Sequence, residues 1–238
     1  IYFIKNKKFF DRRYLYGENM TDYPDSVERF SFFCREALEL LKDLGRPVDI
    51  IHCHDWQTGL VPVYLKEAHA GETFFIGTKV VFTVHNLAYQ GVFSKQDFLN
   101  AGLEERLLDD DALGLNDKAS LLKGGLLFSD HVTTVSPQYA RETQTREWGY
   151  GMEGILHARK GRFTGILNGL DYGFWNPETD PLIDPHYSAE DRLARKIHKE
   201  KLQSMSRLQT LADIPVLGFM GRLCYQKGLD LIESAFEE

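Results

Sequence analysis

The chain has 238 residues, 43% hydrophobic and 13% aromatic, enough to bury a sizeable core in one large domain or one and a half. Its net charge of −7, with Lys and Arg scattered rather than clustered, gives no reason to expect nucleic acid or an anionic membrane as a partner, so any anion must be met locally. Three widely spaced cysteines, Cys34, Cys53 and Cys224, match no zinc pattern and no disulfide framework, which suits a reducing compartment, and no apolar run approaches the roughly 20 residues of a membrane span.

The first residues, Ile1-Tyr-Phe-Ile-Lys-Asn-Lys-Lys8, lack a signal peptide's charged-then-apolar layout. The chain starts without Met and stops at Phe236-Glu237-Glu238 inside an expected helix, so both ends read as cuts. From Asp25 to Leu44 apolar residues recur at helical spacing (Val27, Phe30, Phe33, Ala37, Leu38, Leu41, Leu44), with Asp25 and Glu28 placed as a capping box and Gly45 as the stop. Val48 to Cys53 then reads as a strand, Gly59 to His69 as a helix and Lys79 to Val84 as a buried strand. A helix around Ala119 to Phe128 precedes the strand His131 to Val135, and Pro137 opens a further helix at its first position. Strands alternating with helices imply an α/β fold with a parallel sheet and right-handed crossovers.

Between Asn168 and Pro185 the rhythm breaks, punctuated by Gly169, Gly173, Pro177, Pro181 and Pro185, which reads as a domain junction. A long charged helix, about Ser188 to Leu211, is expected next, followed by a strand Val216 to Met220 and a helix from Leu229 onward. The expected division is therefore 1–167 for a Rossmann-like N-terminal domain lacking its first strand and loop, and 168–238 for a hinge and the truncated start of a second such domain.

Ligands of open parallel sheets bind beyond the carboxyl ends of the strands, so the polar residues just after each expected strand come first. They are His52-Cys-His54-Asp55-Trp56, then His85-Asn86-Leu-Ala-Tyr89-Gln90-Gly91, Ser136, Asn168-Gly169, and Gly221-Arg222-Leu-Cys-Tyr-Gln-Lys227-Gly228. Arg222 and Lys227 share a strand-to-helix turn in which the helix dipole disfavours Lys227 unless an anion is bound, so the pair suits a diphosphate; a turn whose two cations are merely solvated is the other reading. The spacing is not a Walker A loop. His52 and His54 lie on one side of the strand end, and with His85 they could ligate a metal in a hydrolase, or be histidines satisfied within a packed turn. Asp55, Trp56 and Gln57, with Asn86, Tyr89 and Gln90 on the neighbouring loop, instead combine aromatic faces with polar groups, as a sugar ring requires.

Taken together, these residues resemble the bacterial glycogen synthase and plant starch synthase family. The stretches that carry the resemblance are His54–Pro62, Thr83–Gly91, Val135–Ala140, Gly149–Gly154, Gly165–Gly169, Trp175–Asp180 and Gly221–Gly228, in the family's order. The resemblance implies GT-B architecture and a retaining transfer of glucose from ADP-glucose to the non-reducing end of an α-1,4-glucan, glycogen or starch, with no metal and no cofactor. On matching positions, His54 would hold the transferred glucose, Arg222 and Lys227 would bind the diphosphate, and Asn168 would line the donor pocket. Asp55, Trp56, Asn86, Tyr89 and Gln90 complete the expected substrate-binding set. A front-face mechanism with an oxocarbenium-like transition state is implied, since no carboxylate here is an obvious nucleophile. A glucan-binding relative without turnover is a further alternative. The family's Lys-x-Gly-Gly-Leu loop is expected before residue 1, and Lys123-Gly124-Gly125-Leu126 is read as a helical imitation of it. A bacterial cytoplasm or a plastid stroma would be the compartment.

Overall fold

The structure, a computed structural model, describes residues 1–18, 21–223 and 225–237, and resolves by contacts into two compact units, Ile1–Asn168 and Gly169–Glu238. Cys224 lies outside the described residues.

The first unit opens with a short helix α1 (Lys7–Phe10) and a two-stranded ribbon, β1 (Gly17–Glu18) and β2 (Thr21–Asp22). Helix α2 (Ser26–Asp43) follows, and Gly45 ends it as expected, at φ +59. The expected capping box does not form. Asp25 makes no side-chain cap because Arg12 grips both its carboxylate oxygens, at 2.7 and 2.5 Å, and this charge-assisted pair holds the Asp25 carboxyl below its usual range. A capping box does occur at the helix α4 (Lys95–Asn100), where Ser94 and Asp97 satisfy each other's backbone amides.

Strand β3 (Ile50–His54) leads through a 3-10 turn (Trp56–Thr58) into α3 (Leu60–Glu67), and β4 (Lys79–Val84) follows. An insertion then supplies β5 (Val92–Ser94), α4 (Lys95–Asn100), β6 (Gly114–Leu115) and β7 (Lys118–Ser120), whose strands form a small antiparallel sheet that the residue pattern did not reveal. These strands have only two or three residues each, too few to show alternation. Helix α5 (Leu121–Phe128), β8 (His131–Thr134), α6 (Pro137–Glu142, with Pro137 in its first turn), α7 (Glu153–Ala158) and β9 (Phe163–Gly165) complete the unit.

The main sheet runs β3-β4-β8-β9 and every pairing is parallel. Cys53, Val80, Phe82, Val84 and Val132 turn one face of it into the core, where they join Leu60 and Val63 of α3 and Leu121, Leu122 and Leu126 of α5. Burial of a side chain the size of Phe82 contributes roughly 1.5–3 kcal/mol. Helix α5 approaches this closely because Gly125 has no side chain, and a Cβ there would sit 2.3 Å from the Phe82 ring. Lys123-Gly124-Gly125-Leu126 is thus helical packing, as expected, with the Lys123 ammonium capping the carbonyls of Asp110 and Gly114.

In the second unit the charged helix is shorter than expected. Helix α8 spans Ala194–Met205: Ser188 and Asp191 bond nearby backbone amides before it, and Arg207, at φ +57, turns the chain out of it. Residues 216–220 form no strand, contrary to expectation, because no neighbouring strand pairs with them among the described residues. A 3-10 turn (Tyr225–Lys227) and α9 (Leu229–Glu237) follow.

Candidate functional site

The carboxyl ends of β3 and β4 bring three imidazoles together. His52 and His54 share a face of β3, with ring centroids 4.2 Å apart, and His54 lies 5.3 Å from His85, just past β4. His54 Nδ1 is 3.1 Å from His85 Nε2, and His52 Nε2 is 2.7 Å from the Thr83 hydroxyl. Burial, then the neighbouring His52 and His85, push the His54 pKa below its ordinary value of 6.5, and Asp55 opposes them. The ring is therefore biased toward its neutral form.

Asp55 is strained. It has φ +57 and ψ 179, a region that residues with a Cβ rarely occupy and that tends to persist only where the surroundings over-determine it. Its amide donates to the Thr83 carbonyl at 2.9 Å, and its carboxylate accepts the His85 amide at 2.8 Å. The reversal turns the chain at once into the Trp56–Thr58 turn. That turn returns the Thr58 hydroxyl to His54, where it accepts from the amide and faces the carbonyl, each at 2.7 Å.

Trp56 does not offer the open sugar-facing wall expected of it. Its ring is only 5% exposed and packs edge-on to Phe30 at 4.9 Å. Gly91, at φ +57, lies against it so closely that a Cβ would stand 2.4 Å from the indole. An aromatic followed by a helix-starting turn on an α/β strand is as easily core as wall, and here the apolar face won.

The loop 86–91 keeps its polar groups outward. Tyr89 is 46% exposed; Asn86 turns the loop by accepting from the Ala88 amide at 3.0 Å. Gln90 donates to the Tyr150 carbonyl at 2.9 Å, while its own carbonyl accepts from Ser120 and the Leu122 amide. Residues that the sequence reading did not single out also shape this region. Tyr139 accepts the Leu87 amide at 3.1 Å, and Tyr150, half exposed at φ +50, precedes Gly151 at φ +84. The positive φ of Tyr150 is invisible in sequence, but both tyrosines lie inside family stretches that could have drawn attention to them.

Asn168 is exposed, at the end of the first unit. In the second unit Arg222 and Lys227 are both exposed, and neither joins an ion pair among the described residues. Lys227 ends a 3-10 turn two residues before α9 begins. Among the described residues no group of three or more His, Cys, Asp and Glu side chains is arranged to hold a metal ion. Cys34 and Cys53 are free and buried; burial raises both thiols, Cys53 to about 12, so neither is primed as a nucleophile.

The model of the starch synthase catalytic domain matches residues 1–158. The chain belongs to this family. Among curated starch and glycogen synthases, it is 44% identical over 232 residues to a glycogen synthase of Geotalea uraniireducens and 46% identical over 234 residues to one of Pseudothermotoga lettingae. It covers 98% of itself in each match but 48% and 47% of those relatives, so it spans about half their length. The catalytic domain of starch synthase IV from Arabidopsis thaliana, solved bound to ADP and acarbose, matches 97% of this chain and 47% of its own with a TM-score of 0.84 at 38% identity. With the parallel sheet, this match bears out the α/β, GT-B fold class. Nothing in these comparisons favours the metal-dependent hydrolase.

Proposed function

We propose that the protein carrying this chain transfers glucose from ADP-glucose to the non-reducing end of an α-1,4-glucan, glycogen or starch, with retention at the anomeric carbon. The observation that carries the reading is the outward-facing His54, held by the Thr58 hydroxyl and the His85 ring at the end of a parallel strand, in a chain that belongs to the starch synthase catalytic domain family. A relative of that family was solved with ADP, which supports an adenine nucleotide as leaving group.

In this reading His54 holds the transferred glucose, and Tyr89, Asn86 and Gln90 face sugar hydroxyls and ring faces from the adjoining loop. Arg222 grips the diphosphate through paired N–H groups and Lys227 adds a point charge, both opposing the negative charge that grows on the departing phosphate oxygen. Asn168 lines the donor pocket. Preorganised cations favour that transition state over the ground state, and positioned groups spare the reaction the entropy of assembly. No metal or cofactor takes part, and the partners are the nucleotide sugar and the glucan, in a bacterial cytoplasm or plastid stroma. No helix among the described residues is long and apolar enough to cross a membrane.

The test is to incubate the full-length protein with labelled ADP-glucose and glycogen or amylopectin. Label recovered in polymer is the expected result. No label in polymer, with the glucan still bound, would instead identify a binding relative without turnover.

A further inference from the structure

We infer that His85 and Asp55 are positioning residues that fix the tautomer of His54, so that His54 meets the sugar with an Nε2–H donor. This rests on the reading of His54 as the sugar-holding group. Three observations lead to it. The His54 Nδ1 to His85 Nε2 distance of 3.1 Å is a hydrogen bond between two rings, and between neutral imidazoles one nitrogen must carry the proton and the other must accept. Its neighbour His52 already has Nε2 committed to Thr83, so His85 is the partner left to set the tautomer of His54. The backbone amide of His85 is bound to the Asp55 carboxylate at 2.8 Å, which ties the end of one strand to the end of the next and holds the His85 ring at its distance.

Two proton arrangements satisfy the ring-to-ring bond. In one, His54 donates from Nδ1 and must accept with Nε2. In the other, His85 donates from Nε2, and both rings keep the Nε2–H form that a neutral imidazole intrinsically favours. The second costs neither ring its preferred tautomer, and it leaves His54 with an N–H on the side away from His85. His54 Nε2 has no protein partner among the described residues, and its ring is exposed. A neutral donor there bonds a sugar hydroxyl oxygen without adding a positive charge close to an oxocarbenium-like centre, where a cation would oppose the charge developing on the sugar.

The strain at Asp55 has a use in this arrangement. A relaxed backbone at residue 55 would carry the carboxylate away from the His85 amide, or carry Thr58 away from His54, and the reversal at φ +57 permits both contacts at once. Asp55 thus acts through His85 and through the chain direction, without touching the sugar in its own right.

The test uses the full-length protein with isotope-labelled histidine and reads imidazole nitrogen shifts by NMR, alongside kcat and KM for transfer. His54 is expected as a single Nε2–H tautomer in the unaltered protein. In His85→Phe, which keeps an aromatic ring but removes the donor, His54 should become a mixture of tautomers, and kcat should fall roughly 10–100-fold with KM for the nucleotide sugar changed less than about threefold. Asp55→Asn, which keeps an oxygen for the His85 amide, should retain the tautomer and be less impaired than Asp55→Ala. An Nδ1–H form or a mixture in the unaltered protein overturns the inference, and so does a His54 signal unmoved by His85→Phe. Should His85→Phe fail to fold, the Asp55 pair and the unaltered protein decide the matter. The expected tautomer with no glucose transfer would leave the positioning role standing and remove the proposed function instead.

Discussion

At residue 55 glycine should stabilise the fold relative to alanine, the reverse of the usual order. Both Asp55→Ala and Asp55→Gly remove the carboxylate that accepts the His85 amide at 2.8 Å, a charge-assisted bond whose loss costs roughly 1–3 kcal/mol, toward the low end because the residue is half-buried. Only alanine keeps the strain of φ +57 and ψ 179, a conformation costing on the order of 1–3 kcal/mol in a residue with a Cβ. Glycine relieves that strain but gives the unfolded chain more freedom, which costs about 0.5–1 kcal/mol. The difference leaves Asp55→Gly more stable than Asp55→Ala by about 1 kcal/mol. Urea unfolding of the two full-length variants, compared at equal slope, measures it directly. A glycine variant no more stable than the alanine one would refute the argument that the turn after β3 is strained, and with it the link between strain and the aim of His54.

The remaining predictions concern chemistry and packing. In the full-length protein His54→Ala should remain folded and be nearly inactive, checked by transfer assay beside circular dichroism; full activity would remove His54 from the site. Because burial first, and then His52 and His85, place the folded pKa of His54 below 6.5, the unfolded chain takes up the proton first, so the ring's contribution to stability is complete above 6.5 and shrinks as pH falls through it. By the same sign the acid limb of kcat should lie below 6.5 and move upward in His52→Asn; a limb above 6.5 in the unaltered protein would contradict this. Arg222→Ala and Lys227→Ala should each cost roughly 2–4 kcal/mol of transition-state stabilisation, seen mainly in kcat, with little change in unfolding midpoint. Gly125→Ala should destabilise by about 1–3 kcal/mol or abolish soluble expression, since its Cβ would stand 2.3 Å from the Phe82 ring; a midpoint unchanged within error would show that α5 can shift away from β4 at no cost.

Much of the parallel sheet was legible because its strands are apolar runs and its helices have caps or stops that side chains declare. Pro137 and Ser136 mark the start of α6, and Gly45 marks the end of α2. Long-range partners are what local reading could not see. Asp25 has the spacing of a capping residue, but a bidentate arginine from an earlier segment outbids the helix amides for its carboxylate. Val216 to Met220 has strand composition, and composition does not make a ladder where no neighbour pairs among the described residues. The histidines were legible as a cluster from the two-residue spacing on β3, but that His54 pairs with His85 depends on how β3 and β4 register. Trp56 shows the opposite error. Its neighbours suggested a sugar platform, and its own size made it a better plug for the space between α2 and the β5 strand.

The bond from His52 to Thr83 does not stop there. Thr83 Oγ lies 2.6 Å from Thr133 Oγ, so a line of polar side chains crosses three neighbouring strands of the sheet. Each hydroxyl owns a single proton, which gives the line a sense of direction. If the imidazole donates, Thr83 is free to pass its proton on to Thr133; if the imidazole accepts, Thr83 spends its proton on the ring and must take one from Thr133. Both hydroxyls are nearly sealed from water, with 8% exposure each, so neither can reorient against bulk solvent independently of the other. A switch of His52 Nε2 between donor and acceptor is therefore registered as a concerted reversal of hydroxyl orientation beneath the sheet surface, two strands away from the imidazole.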